Sequence, residues 1–384
     1  MRSIIRNGSL ILPSTIIKAD LLIEDGIIRS LDANELMADE IIEASGYFVA
    51  PGFVDIHIHG GGGHDFMEAS LEAFVAITEY HLAHGSTSLV PTAVSASFSD
   101  QVSFLSAYQN AVDADIIRVR MLGAHMEGPY LSENKKGAHD PCLLKNPNRD
   151  EYQTLIADFP FIKRWTIACE LPGALAMGDY LYDRNINASI GHSNAFGHQI
   201  TDAMQHGFTS VTHLYNATSN AEEFEGKKAV GIVETALLEN DLFVEIIGDL
   251  QHVPAEMIWL TYKNKTSDKM ILVSDCLSPA GMPKGIYHLG NNSGFKIEVG
   301  EAVYLAGTKK LAGSVASGDI LLHNAIKIGI PITEAVKMLT LTPAKLLGFD
   351  KLVGSLEIGK AADIIIFDED IDIKHLFCNG KKIK

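Results

Sequence analysis

The sequence predicts a (β/α)8 barrel that carries a small β-sandwich built from both chain ends. Eight apolar runs of strand length alternate with helix-patterned stretches through the middle of the chain. Nearly every run finishes in a residue able to bind a metal or move a proton. Residues 1–50 and 348–384 share a β-rich, turn-punctuated pattern that the middle lacks.

The N-terminal part reads as short strands at Ser3–Arg6, Leu10–Leu12, Ala19–Glu24, Ile27–Ser30 and Glu40–Glu43, with turn signals at Asn7-Gly8 and Asp25-Gly26. The C-terminal part repeats the pattern at Ala362–Phe367 and His375–Lys384, with an Asn379-Gly380 turn. Two β-rich ends around a long middle predict one sandwich from 1–50 and 348–384, with 51–347 as a separately folding insertion.

Within that insertion the runs are Phe53–His59, Ser88–Thr92, Val119–Glu127, Trp165–Glu170, Ala188–His192, Thr209–His213, Phe243–Asp249 and Ile271–Asp275. Stretches such as Leu71–His84, Val102–Val112, Gly197–Gly207, Gly231–Asn240 and Pro254–Asn264 carry apolar residues at three- and four-residue spacing. This alternation is that of parallel βα units, and strands without polar alternation fit a sheet covered on both faces. An open doubly wound sheet is the competing fold; it also binds ligands at strand ends, but across a crevice rather than around a ring.

Composition narrows the function. A chain of 384 residues, 47% hydrophobic and 21% charged, can bury a large core. A formal charge of -17 repels polyphosphates and anionic lipid, so neither nucleic acid nor membrane is an expected partner. The four cysteines, Cys142, Cys169, Cys276 and Cys378, form no C-x-x-C pair. Asn7, Gly8, Ser9 and Pro13 interrupt any signal-peptide core, and no apolar run approaches a membrane span. A soluble protein of the reducing cytoplasm is expected.

Pro51-Gly52-Phe53-Val54-Asp55-Ile56-His57-Ile58-His59 is the strongest local signal. Residues two apart on a strand share a side, so His57 and His59 offer two imidazoles to one point, with Asp55 beneath. Open imidazole sites at a strand end suit a catalytic metal, and Gly60–Gly63 lets backbone approach closely. The competing reading is an edge strand with incidental histidines. Glu127 in His125-Met126-Glu127-Gly128-Pro129 is placed as a carboxylate ligand, against a structural salt bridge; His125 shares its side and receives no role. His192 and His213 close the fifth and sixth runs. Alone, either is a core histidine; together with an under-ligated His57 and His59 they complete the ligand set. Asp275 ends the eighth run, where a carboxylate can take a proton from water and return it to a leaving nitrogen. Its competing role is a helix N-cap. Lys227-Lys228, Lys309-Lys310 and Lys381-Lys382 read as solvated surface, and His64, His81, His84, His198 and His206 are left unassigned.

These motifs, with Gly191-His192-Ser193-Asn194, Thr212-His213-Leu214-Tyr215-Asn216-Ala217, Val273-Ser274-Asp275 and Leu311-Ala312-Gly313-Ser314, resemble the N-acetylglucosamine-6-phosphate deacetylase family of the amidohydrolase superfamily. The resemblance runs from about residue 45 to 365 in the same order. It implies a barrel with a small β-sandwich, a homodimer, and removal of acetate from an N-acetylhexosamine phosphate. It also implies one or two divalent ions, zinc or iron, with one on the His57 and His59 side and one on Glu127, His192 and His213. On the substrate side it implies contacts from Ala138 and His139 in the Lys136–His139 loop, and from Asn216, Ala217, His252 and Leu311.

The sequence departs from the family at Lys228-Ala229-Val230-Gly231, where members commonly have Arg-Glu-Pro-Gly. Lys228 supplies charge for a phosphate but not the bidentate fork of arginine. Thr218-Ser219-Asn220 also follows Ala217, where methionine is more common in the family. A related sugar such as N-acetylgalactosamine 6-phosphate is therefore an open alternative. Cyclic amidases and aminoacylases are disfavoured because no strand-end lysine is present to bridge metals, and a non-catalytic barrel because no ligand is missing.

Overall fold

The computed structural model describes residues 2–32, 37–224, 226–288, 296–300 and 302–384. Eight parallel strands form the barrel: Phe53–Ile58, Ser86–Ala93, Ala124–Glu127, Ile162–Ile167, Asn187–Ile190, Phe208–Val211, Phe243–Ile247 and Met270–Val273. Each pairs in parallel with the next. The ring closes where Asp275 N–H donates to the His57 carbonyl at 3.0 Å and Ile58 bridges Cys276. The barrel is therefore a ring rather than an open sheet.

Helices cover the outside, and their starts follow local chemistry. Leu71–Ala83 begins at Ser70, whose hydroxyl accepts from Ala73 N–H, and Phe98–Asp113 begins at Ser97, whose hydroxyl accepts from Asp100 N–H. Helices Ile332–Leu339 and Leu341–Leu346 follow the barrel. Ala344 of the second and the downstream Val353 share an apolar cluster with Val54, Ile56, Ile271 and Val273. No helix among the described residues is long and apolar enough to cross a membrane.

The chain ends form a second sheet of eight strands, in which Ile364–Phe367 lies antiparallel to Phe48–Pro51. The sheet curls until Ile27 bridges Ala361, so the sandwich is one sheet turned back on itself around Ile5, Leu21, Val49, Ile364 and Phe377. Asp25-Gly26 and Asn379-Gly380 are hairpin turns with positive φ at both positions. Asn7-Gly8 is not. Arg2–Ile11 is one continuous strand with a register shift between Ile5 and Gly8 and Asn7 at φ 59°. The bend lets the first half pair with Glu40–Glu43 and the second with Phe48–Pro51, so the left-handed residue serves a bulge instead of a hairpin.

The barrel interior also departs from the expected apolar strands. Arg164, fully buried on the fourth strand, forms an ion pair with Glu245 of the seventh. It also donates to Ser189 Oγ at 3.0 Å and Thr212 Oγ1 at 3.1 Å. His125 joins the same layer through Thr166 Oγ1 at 2.7 Å and Thr92 Oγ1 at 3.2 Å. Most of this polar layer is paired from within, as burial demands, with Arg164 Nε left without a hydrogen-bond partner among the described residues.

Candidate active site

The strand ends place the predicted residues around one point. His57, His59, Glu127, His192, His213 and Asp275 are each no more than 7% exposed. Three of them sit where a strand breaks off through left-handed backbone: His192 at φ 47°, His213 at 31° and Asp275 at 48°. Such conformations cost a non-glycine residue about 1–3 kcal/mol and cluster at functional sites.

Glu127 is the hub. Its Oε1 lies 3.1 Å from His213 Nε2, 3.2 Å from His192 Nε2 and 3.5 Å from His57 Nε2. Its Oε2 lies 3.3 Å from His59 Nε2 and 3.4 Å from His139 Nε2. Asp275 Oδ1 stands 3.2 Å from His59 Nε2 and 3.6 Å from His57 Nε2. Among the described residues, two donor groups fit a metal ion: His57, His59 and Asp275, and Glu127, His139 and His192.

Hydrogen bonds to the far ring nitrogens say which histidines can be ligands. His57 Nδ1 meets Glu245 Oε2 at 3.2 Å, His59 Nδ1 the Thr92 carbonyl at 3.2 Å, and His192 Nδ1 the Lys135 carbonyl at 2.8 Å. Each partner only accepts, so each Nδ1 carries a proton, and in the neutral form each ring turns an Nε2 lone pair toward the hub. His57 and His59 Nε2 are then 3.3 Å apart, and His192 and His213 Nε2 are 3.1 Å apart. Lone pairs facing each other and a carboxylate repel unless positive charge lies among them. The donor set therefore fits a divalent cation.

His139 has the opposite tautomer. Its Nδ1 accepts from Ser95 N–H at 3.2 Å, which leaves Nε2–H as a donor. On this ground His213, whose Nε2 touches both Glu127 and His192, is the better third member of the second group than His139.

Electrostatics agree with a site short of positive charge. Burial opposes protonation of His57, yet the carboxylates of Glu127 and Asp275 lift it to about 9. Burial alone would raise Asp275, but His57 and His59 bring it down to about 2, so it stands ionised. Burial, followed by His192, lowers His139 to about 4, which keeps it neutral. Asp55 accepts from His57 N–H at 3.2 Å, bracing the ligand strand from below.

A cavity of about 720 Å³ opens over the cluster. Ala138, His139, Asn216, Ala217, His252 and Leu311 all line it, with His59, Glu127, His192, His213 and Asp275 at its floor. Asp249 fixes His252 through Nδ1 at 2.8 Å, leaving Nε2 to the cavity. Lys228 is not brought there: it is exposed on the hairpin Glu222–Phe224/Lys227–Ala229. Lys310, expected as plain surface, does line the cavity, and is the one lysine or arginine among the described lining residues. Glu170 lies beyond its strand and braces the loop after His192, accepting from Ser193 Oγ and Asn194 N–H, both at 2.6 Å.

Sequence reasoning passed over Glu245 and Arg164. A signal was present: Glu245 is the single charge of its strand, and Arg164 lies with Lys163 inside the fourth, in a sheet covered on both faces. The expected fourth run, Trp165–Glu170, starts one residue after Arg164, whereas the strand spans Ile162–Ile167.

Comparison with known proteins points the same way. The profile of the amidohydrolase family matches residues 48–383. An N-acetylgalactosamine-6-phosphate deacetylase of Escherichia coli O157:H7 is 29% identical over 94% of this chain and 93% of its own length. An N-acetylglucosamine-6-phosphate deacetylase of Caenorhabditis elegans is 31% identical over 90% of this chain and 85% of its own. A mutant N-acetyl-D-glucosamine-6-phosphate deacetylase of Mycobacterium smegmatis, solved in complex with N-acetyl-D-glucosamine-6-phosphate, superposes with a TM-score of 0.89 at 28% identity. That match covers 100% of this chain and 98% of the other.

Proposed function

The chain belongs to the amidohydrolase family and, within it, to the N-acetylglucosamine-6-phosphate deacetylases, and from that premise we infer that it hydrolyses the acetamide of N-acetylglucosamine 6-phosphate to the free amine and acetate. The observation that carries this reading is the convergence of five imidazoles on Glu127, three of them with Nδ1 engaged by an acceptor.

His57 and His59 would hold one divalent ion, and Glu127, His192 and His213 a second; zinc and iron both suit imidazole with carboxylate. A cation held there would polarise the acetamide carbonyl and make water acidic enough to lose a proton near neutral pH. Asp275, ionised and at the cavity floor, takes that proton and returns it to the nitrogen, without which an amine is a poor leaving group. His139, with its Nε2–H, and His252 donate to sugar or carbonyl oxygens. Asn216 and the Ala217 backbone serve the phosphate end, with Lys310 as the cation that the described residues of a single chain bring to the cavity. The exposed Lys228 acts on phosphate only if a second copy carries it to the cavity, which accords with a homodimer. The barrel of 51–347 carries the chemistry, 1–50 and 348–384 form its sandwich domain, and the cytoplasm is its compartment.

The likeness to the Escherichia coli relative favours one second reading, N-acetylgalactosamine 6-phosphate as substrate. Acetate release from both N-acetylhexosamines, each with and without the 6-phosphate, tests the proposal. The expected result is turnover of a 6-phosphorylated sugar at least tenfold above its unphosphorylated form. Equal turnover of the two forms would remove the phosphate roles, and no turnover of any would remove the activity.

A further inference from the structure

The seventh barrel strand, Phe243–Ile247, places one charge, Glu245, in an otherwise apolar segment. Glu245 is fully buried, as is its partner Arg164 on the fourth strand. A buried ion pair contributes little to stability beyond what packed apolar residues would provide. What the pair touches is more informative. Glu245 Oε2 accepts from His57 Nδ1–H at 3.2 Å and from the backbone N–H of His213 at 3.4 Å. One carboxylate oxygen thus reaches a member of each donor group. His57 comes from the first strand and His213 follows the sixth, and Glu127 meets both at their Nε2 atoms, so Glu245 is a second tie between them, at His57 Nδ1 and the His213 backbone.

We infer that Glu245, anchored by Arg164, is the positioning residue that locks His57 in its Nε2-ligating tautomer and ties the two halves of the metal centre together. Arg164 completes the device. Its guanidinium pairs with Glu245 Oε1 and spends a second nitrogen on Ser189 and Thr212, so the carboxylate is held in place from the fourth strand. The strands that carry ligands are thereby joined through side chains as well as through the backbone ladder. The inference rests on the metal reading of the site.

The test is a zinc titration of the metal-stripped full chain in competition with a chromogenic chelator. It compares native protein with Glu245→Gln and with the charge-neutral pair Arg164→Met/Glu245→Gln, which leaves no unpaired guanidinium to unfold the barrel. Apo-protein circular dichroism and melting temperature should stay near native in the double variant, while zinc affinity falls roughly 10–100-fold, the scale seen when a ligand's supporting carboxylate is removed. The visible spectrum of the cobalt-loaded double variant should also shift, a change that loosened packing remote from the metal would not produce. Native affinity in the folded double variant would overturn the inference and leave the metal reading standing. Native protein that takes up no zinc would remove the metal reading itself. On unmutated protein, nitrogen-15 resonances of His57 should report a protonated Nδ1; a protonated Nε2 with bare Nδ1 would overturn the inference without any variant.

Discussion

Asp275 Oδ1 lies 3.2 Å from His59 Nε2, on the rim between the ligand cluster and the cavity. A carboxylate so placed is close enough to the donor group to meet polarised water and close enough to the substrate space to reach a leaving nitrogen. Replacing Asp275 by asparagine keeps shape and removes the base. The expected loss in kcat is roughly 10²–10⁴-fold, the range for a positioned acid–base group, with far-UV circular dichroism unchanged. Near-native turnover would show that the proton moves through another group.

Metal removal should be reversible. Dialysis against a strong chelator is expected to abolish acetate release, and added zinc or iron(II) to restore it, because the hydrogen bonds that Nδ1–H of His57, His59 and His192 donates hold the rings in place without the ion. Elemental analysis before and after would count the ions lost.

Gly137 is required by a close approach as well as by its backbone. It has φ 57°, and a Cβ there would lie 2.9 Å from His192 Cε1. Gly137→Ala should push His192 off its place, lowering zinc affinity and kcat while the melting temperature changes by only a few degrees. Unaltered zinc affinity in a chelator competition would show that the loop has room to give.

Of the ring itself, much was legible in the sequence. Strand-end residues such as His57, Glu127 and Asp275 announce themselves because they interrupt apolar runs at the edge that a barrel turns into a site. Glu245 and Arg164 were harder because their meaning is pairwise. A lone charge in a strand reads as a boundary until the fold shows which opposite charge it meets. Lys310, read as surface, lines the cavity, while Lys228, given a phosphate role only by the resemblance, stays exposed; exposure of a lysine depends on how loops fold over the barrel mouth, which local pattern does not encode. Asn7-Gly8 supplied the right backbone freedom, but whether it makes a turn or a bulge depends on strands that arrive later in the chain.

The junction of the two chain ends offers a stability test away from the site. Gly26 and Gly380 lie in the hairpin turns that meet, and a Cβ on Gly380, at φ 70°, would fall 2.0 Å from Gly26 Cα. Gly380→Ala should therefore destabilise the fold by more than about 1 kcal/mol, since both strain and overlap act against it, visible as an earlier denaturant midpoint. An unchanged midpoint would mean that the curled sheet opens there at little cost.

Acid should weaken the protein partly through Asp319, which pairs with His84 at 2.8 Å. Burial acts to raise its carboxyl, but the bonds from His84 and Ser317 leave it below its ordinary value of 3.8. A depressed carboxyl stabilises the fold fully above that ordinary value and loses its contribution as pH falls through the folded-state one. Asp319→Asn should narrow the difference in stability between pH 6 and pH 3, as followed by urea denaturation; an identical pH slope would exclude the pair from acid stability.

The most direct measurement of the reaction is a time course of acetate and primary amine formed from N-acetylglucosamine 6-phosphate by the zinc-loaded chain. Equimolar appearance of both products, abolished by chelator and by Asp275→Asn, is the predicted result. Neither product above the uncatalysed rate, in protein that has bound its metal, would contradict it.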